Sequence, residues 1–182
     1  MFAIARACAT AYTIRGLPAL NLAAHLFAAQ LDQLEHDLTR LAEAMPAEGY
    51  DQRPPGEAAA GMRTFGEQLR HVATLMRIAA AIVAGRQSPV APGAGNNGPS
   101  EIETKTAILE NLRLALDEAR AAALSFDEEN QFQVVRTVFG GQTRAEVMTA
   151  LVAHSYDHYG QMVVYARLSG VTPPVPGPLP AQ

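Results

Sequence analysis

His154 and His158 stand four residues apart in the stretch TRAEVMTALVAHSYDHYGQMVVYARLSG, residues 143–170. At helical pitch, such a pair lies on one face, one turn above the other. The same face carries Val147, Leu151, Met162, Tyr165 and Leu168, a stripe of the kind a helix turns toward a core. Two imidazoles placed among apolar side chains need polar partners. Hydrogen bonds to neighbouring groups would serve, and so would a metal ion, which satisfies both rings at once. A third histidine from another helix shifts the balance toward metal, and His71 is the candidate. Gln161 follows His158 by less than a turn, close enough to reach a metal-bound water or ligand. Gln161 and Tyr165 are candidates for supporting the ligands or orienting a substrate. Tyr156, Asp157 and Tyr159 flank the pair but point off its face, and read as packing or solvent contacts.

Three neutral imidazoles suit Zn²⁺, Ni²⁺ or Fe²⁺ better than Ca²⁺ or Mg²⁺. They leave at least one coordination position open, as catalytic zinc sites do. With no anionic ligand, the ion keeps its full charge and strongly acidifies a bound water or thiol. The chemistry on offer is hydrolysis or activation of a substrate thiol. Thiol activation needs no protein cysteine, and this chain has only one, Cys8, so an intramolecular disulfide is excluded. Other arrangements fail on spacing. Ser155, Tyr156 and Asp157 lie between the two histidines where a zincin needs H-E-x-x-H. The paired Glu-x-x-His motifs of a di-iron bundle are missing, as are G-x-S-x-G and P-loop motifs. His154, Ser155 and Asp157 are neighbours along one helix and cannot converge as a triad.

The elements that must position these residues are helices. Residues 18–45 carry Phe27, Leu31, Leu34, Leu38, Leu41 and Met45 at gaps of four and three, the first helical stripe. His25 and His36 fall roughly 160° around the helix from it and read as surface residues. A loop rich in Gly and Pro follows, and Thr64-Phe65-Gly66-Glu67 forms a capping box that starts helix two. That helix runs to about residue 84, with Leu69, Val72, Met76, Ala79 and Val83 as core. Leu75, Ile78 and Ile82 continue the His71 face toward an apolar interior. Residues 85–99, GRQSPVAPGAGNNGP, are a long connection of the kind a bundle uses when successive helices run the same way. Ser100-Glu101-Ile102-Glu103 reads as a second capping box. It opens helix three, with Ile102, Leu109, Leu112, Leu116, Ala119, Ala123 and Leu124 facing inward. Residues 125–142 form a turn-rich return, in which Phe132, Val134, Val135, Val138 and Phe139 are expected to pack over the bundle end. Thr143-Arg144-Ala145-Glu146 is a third capping box, and Gly170 is the matching C-terminal cap. The fold class is therefore all-α: a four-helix bundle spanning residues 18–172. Residues 1–17 are a segment outside its core and residues 173–182 a Pro-rich tail.

Composition narrows the function classes. A chain of 182 residues suits one domain with a sizeable core. The net charge of −4 and the absence of a basic cluster argue against nucleic acid. No apolar run approaches the ~20 residues of a membrane span. Arg6 and Arg15 interrupt the mildly apolar N-terminus, which makes a poor signal peptide. A cytoplasmic location is the default expectation, and export follows only if that segment is a degraded leader.

The segments HSYDHYGQMVVYARLSGVTPP and RTFGEQLRHVA, with the upstream YDQRPPGE, resemble the DinB-like bundle family over residues 20–175. The first matches that family's last helix, including its H-x-x-x-H-x-G-Q-like run. The second matches the helix that supplies the first metal histidine. The resemblance implies a four-helix bundle, often a homodimer, holding a divalent metal on His71, His154 and His158. Some members are thiol-dependent, either transferases that use a low-molecular-weight thiol or a maleylpyruvate isomerase. The expected function is a metal-dependent thiol S-transferase or related hydrolase acting on a small molecule. The alternative is a non-enzymatic bundle that binds metal or ligand. Gly160, inside the last helix, costs about 1 kcal/mol relative to Ala, so a close helix or ligand approach is expected there.

Overall fold

Each helix begins where a short polar side chain caps its first turn. Asn21 Oδ1 accepts from Ala24 N at 2.9 Å and opens α1, Leu22–Ala44. Thr64 and Glu67 form a reciprocal capping box at the start of α2, Phe65–Val83, and Thr143 with Glu146 does the same for α4, Arg144–Leu168. Helix α3, Lys105–Leu124, starts at Thr104, whose hydroxyl accepts from Ala107 N at 3.2 Å. The expected box at Ser100 does not form. Starting at Thr104 instead lets Lys105 donate to Glu43 O and Met45 O at the end of α1, at 2.8 and 2.6 Å. These contacts satisfy orphan carbonyls there and place a cation at the negative end of that helix. The computed structural model describes residues 21–57 and 61–175. The expectations for residues 1–17, Cys8, the start of the first helix at residue 18 and the last seven residues of the tail lie outside them.

The connection between α2 and α3 carries the same-direction crossover expected of it. Helix α2 pairs with α3 in parallel: Gly66 lies at Ile108, and Arg77 bonds Glu118 at 3.0 and 3.1 Å. Helices α1 and α3 are antiparallel, with Arg113 on Glu43 and Arg120 on Glu35. Helices α2 and α4 are also antiparallel, through Arg63 with Tyr165 and His71 with His154. Both α1 and α2 pack on α3 and α4, so α1 and α2 occupy opposite corners. The core is filled by the predicted stripes of α1 and α2, joined by Leu112, Leu116, Met148 and Met162, all fully buried.

Several side chains depart from expectation. Leu124 and Leu168 are exposed and Ile102 is half-buried. The return segment does not pack over the bundle end. Among its residues, β1 (Val134–Thr137) pairs antiparallel with β2 (Gly140–Thr143) in a small hairpin. Phe132, Val134, Val138 and Phe139 on this segment stay exposed to solvent, and only Val135 is half-buried. The hairpin leads directly into the Thr143 cap of α4.

Candidate metal centre

Residues 154, 158, 161 and 165 line the edge of α4 that faces α2. Because the helices are antiparallel, Gln68 and His71 meet them from the other side. His71 and His158 are buried and His154 is half-buried. One ring nitrogen from each lies within 4.8 Å of the others. His154 Nε2 and His71 Nε2 are 3.1 Å apart, near the edge of about 3.3 Å for a tetrahedron with 2.0–2.1 Å zinc–nitrogen bonds. The ring centroids stand 4.4–5.1 Å apart, with the rings steeply inclined to one another. His25 and His36 are exposed on α1, and His36 is bonded to Asp37 at 3.2 Å.

The far side of two rings is tied down. His71 Nδ1 lies 2.8 Å from the carbonyl of Asn96. A carbonyl only accepts, so Nδ1 carries the proton and Nε2 presents its lone pair. The Asn96 carbonyl reaches this position from the long connection, which closes into a tight turn. Gly98 N donates to Pro92 O at 2.8 Å, and Asn96 itself sits at φ 59°. Arg63 pins the turn on both sides of Asn96, donating to Gly95 O at 2.8 Å and Asn97 Oδ1 at 2.7 Å.

His158 is oriented by a relay. Asp157 accepts from Gln161 Nε2 at 2.9 Å. Gln161 Oε1 accepts from Gln68 Nε2 at 3.0 Å. Gln68 Oε1 then faces His158 Nδ1 at 2.5 Å. An ionised carboxylate accepts only, so Asp157 sets the orientation of both amides, and the last oxygen requires a proton on His158 Nδ1. Nε2 of His158 is thereby free to act as a ligand. Gln161 does not turn toward the three histidines, because both ends of its amide are engaged and Gln68 stands between. Tyr165 is also committed, its hydroxyl donating to Arg63 O at 3.1 Å.

The electrostatics keep the rings neutral. Burial lowers the pKa of all three, with Arg63 adding to the effect each time. His158 falls to about 4, through burial first and then through His154, His71 and Arg63. Three neutral imidazoles, two of them with a defined tautomer, fit a divalent transition-metal ion.

The seam between α2 and α4 opens on both sides of the cluster. On the Nδ1 side, beyond Gln68, is a polar cavity of about 400 Å³ lined by Arg53, Arg63, Gln68, Gln161 and Tyr165 but by none of the rings. The other is an apolar cavity of about 340 Å³ bounded by Leu75, Ile78, Leu151, His154 and Phe139. The His71 face of α2 thus continues into a groove, where an apolar interior is expected from the sequence. No close approach explains Gly160, since a Cβ added there would meet nothing within 4 Å.

Residues 30–162 match the model of the DinB superfamily, well over half of the chain. The chain belongs to the DinB superfamily. Two solved structures show the same fold. A DinB-like protein from Bacillus cereus ATCC 10987 is 18% identical with a TM-score of 0.65, covering 82% of this chain and 94% of that one. A DinB-like protein from Bacillus subtilis is 20% identical with a TM-score of 0.64, covering 82% and 96%. No curated protein matches the chain.

Membership in the DinB superfamily and the three-histidine cluster are together compatible with metal binding. Sequence reasoning missed Gln68, Arg63 and Asn96. Gln68 stands three residues before His71 on the same helix face, and that spacing could have revealed it. A backbone carbonyl such as that of Asn96 leaves no such trace. Among the described residues, no helix is long and apolar enough to cross a membrane.

Proposed function

We propose that the chain is a divalent-metal-dependent enzyme in which His71, His154 and His158 hold one ion, with zinc as the first choice and Ni²⁺ or Fe²⁺ as others. The proposed reaction is S-transfer involving a low-molecular-weight thiol, or a related hydrolysis. The observation that carries the reading is the convergence of the three rings beside two cavities, with the Nδ1 atoms of His71 and His158 bonded away from the cluster. A bound ion on three neutral ligands supplies a strongly acidified water or thiol. The protein's part is to hold the rings in their ligating tautomers and keep them unprotonated. The apolar cavity, which His154 bounds, would admit a small molecule to the rings.

Metal analysis of purified protein, followed by a thiol-transfer screen against small electrophiles, tests the proposal. One equivalent of metal and turnover lost on chelation are expected. Stoichiometric metal with no turnover across a broad screen, including ester and amide hydrolysis, points instead to a binding module.

A further inference from the structure

The polar cavity contains a cation that the metal reading leaves unexplained. Arg53 and Arg63 both line it, against the single carboxylate of Glu67. Glu67 is already engaged: its Oε2 accepts from Thr64 N at 2.7 Å and from Arg53 Nη2 at 3.2 Å. Arg53 and Glu67 therefore offset one another. Arg63 bonds only neutral oxygens, those of Gly95 and Asn97. Its Nη1 has no protein acceptor among the described residues, and the group is held rigidly by its other two nitrogens.

Arg63 bonds both residues that flank Asn96, whose carbonyl holds His71 Nδ1, so the guanidinium is fixed behind the histidine seam. Guanidinium and carboxylate are matched in shape and charge, and a preordered donor binds without the cost of freezing a long side chain.

We infer that Arg63 is the carboxylate-binding residue of the polar cavity, and that the small-molecule ligand taken there carries a carboxylate. Carboxylate binding at Arg63 does not rest on reading the histidine cluster as a metal site. Gln161 and Tyr165 line the same cavity but are engaged elsewhere, so they shape it while Arg63 supplies the charge.

The test uses the metal-free full chain at about pH 8, above the ordinary imidazole range. It is titrated with 3-mercaptopropionate and, separately, with its methyl ester, following amide chemical shifts. The acid is expected to bind about tenfold or more tightly than the ester, as a charged hydrogen bond implies. The largest shifts are expected at Arg63 and Gln161. Arg63→Gln should abolish the preference in the metal-free protein while its helical circular dichroism stays at the wild-type level, and Arg63→Lys should restore part of it. Equal binding of acid and ester by the wild-type protein overturns the inference without any variant. A preference that survives Arg63→Gln overturns it too. Zinc binding without acid preference sinks this inference alone, and acid preference without zinc binding sinks the metal reading alone.

Discussion

His158 depends on a carboxylate that makes no hydrogen bond to its ring. Asp157 points to solvent, yet its acceptor-only carboxylate orients Gln161, then Gln68, and so places the proton on His158 Nδ1. Losing such an outer partner typically lowers metal affinity 10–100-fold. Gln68→Leu should therefore weaken zinc binding by about 10–100-fold in a competition titration. His71→Ala, which removes one of the three proposed ligands, should weaken it by further orders of magnitude, while His25→Ala and His36→Ala leave it unchanged. Wild-type affinity in Gln68→Leu would show that the relay does not support the site. The same rings predict a pH dependence for the metal-free protein. Their folded pKa values lie below the ordinary 6.5, with His158 near 4. Below about pH 6.5 the unfolded chain binds more protons than the folded one, so stability falls as the pH drops. Their contribution is complete above about pH 6.5 and is lost as the pH falls toward about 4. Melting temperatures measured over that window should decline more steeply in the wild type than in a His158→Gln variant. At this scale the histidines are legible in the sequence because their spacing reports one helix face. The relay is not, since two glutamines and an aspartate on helices look like ordinary surface residues until α2 and α4 pack together.

The helices themselves are largely written in their caps and stripes. Thr64 and Thr143 cap as their sequences suggest, and the α1 stripe from Phe27 to Met45 is buried throughout. Ser100 misleads because a capping box is a local signal. Tertiary contact of Lys105 with the end of α1 favours Thr104, four residues later. The connection 85–99 reads as a generic linker from its glycines and prolines, yet it delivers the carbonyl that orients His71. Gly98 shows why glycine is needed there. It has φ +75°, and an added Cβ would come within 2.1 Å of Thr74 Oγ1. Gly160 is the opposite case, a helix-interior glycine facing open space. Gly160→Ala should raise stability by about 0.5–1 kcal/mol through helix propensity alone. Chemical denaturation of the metal-free protein checks this. A destabilised variant would mean that another group approaches Gly160 closely.

In the whole molecule, the apolar stripes and the histidine cluster are nearly separate structures. The large buried side chains come from all four helices and fill the centre, while the three rings sit in the seam between α2 and α4. Outside that centre, Val138 and Phe139 at the hairpin tip are 93% and 89% exposed. Apolar groups so displayed, beside an apolar cavity, suit burial against a second copy. Light scattering at micromolar concentration should give a dimer of the 19.4 kDa chain, and a Val138→Asp/Phe139→Asp variant should be monomeric. A monomeric wild type would refute this assembly. The separation of core and site also sets what metal removal does. A bound ion would tie α2 to α4 across the seam, stabilising the folded state by about 2.7 kcal/mol at a free concentration 100 times its dissociation constant. For a domain of this size each kcal/mol moves the melting temperature by about 2–4 °C, so chelation should lower it by roughly 5–10 °C. Helical circular dichroism below the transition should not change, because the capped helices and buried stripes do not depend on the ion. If chelation instead melts the bundle at room temperature, the core is not self-sufficient and the metal is part of the fold. If the melting temperature stays put at saturating metal, the three histidines do not bind the ion together.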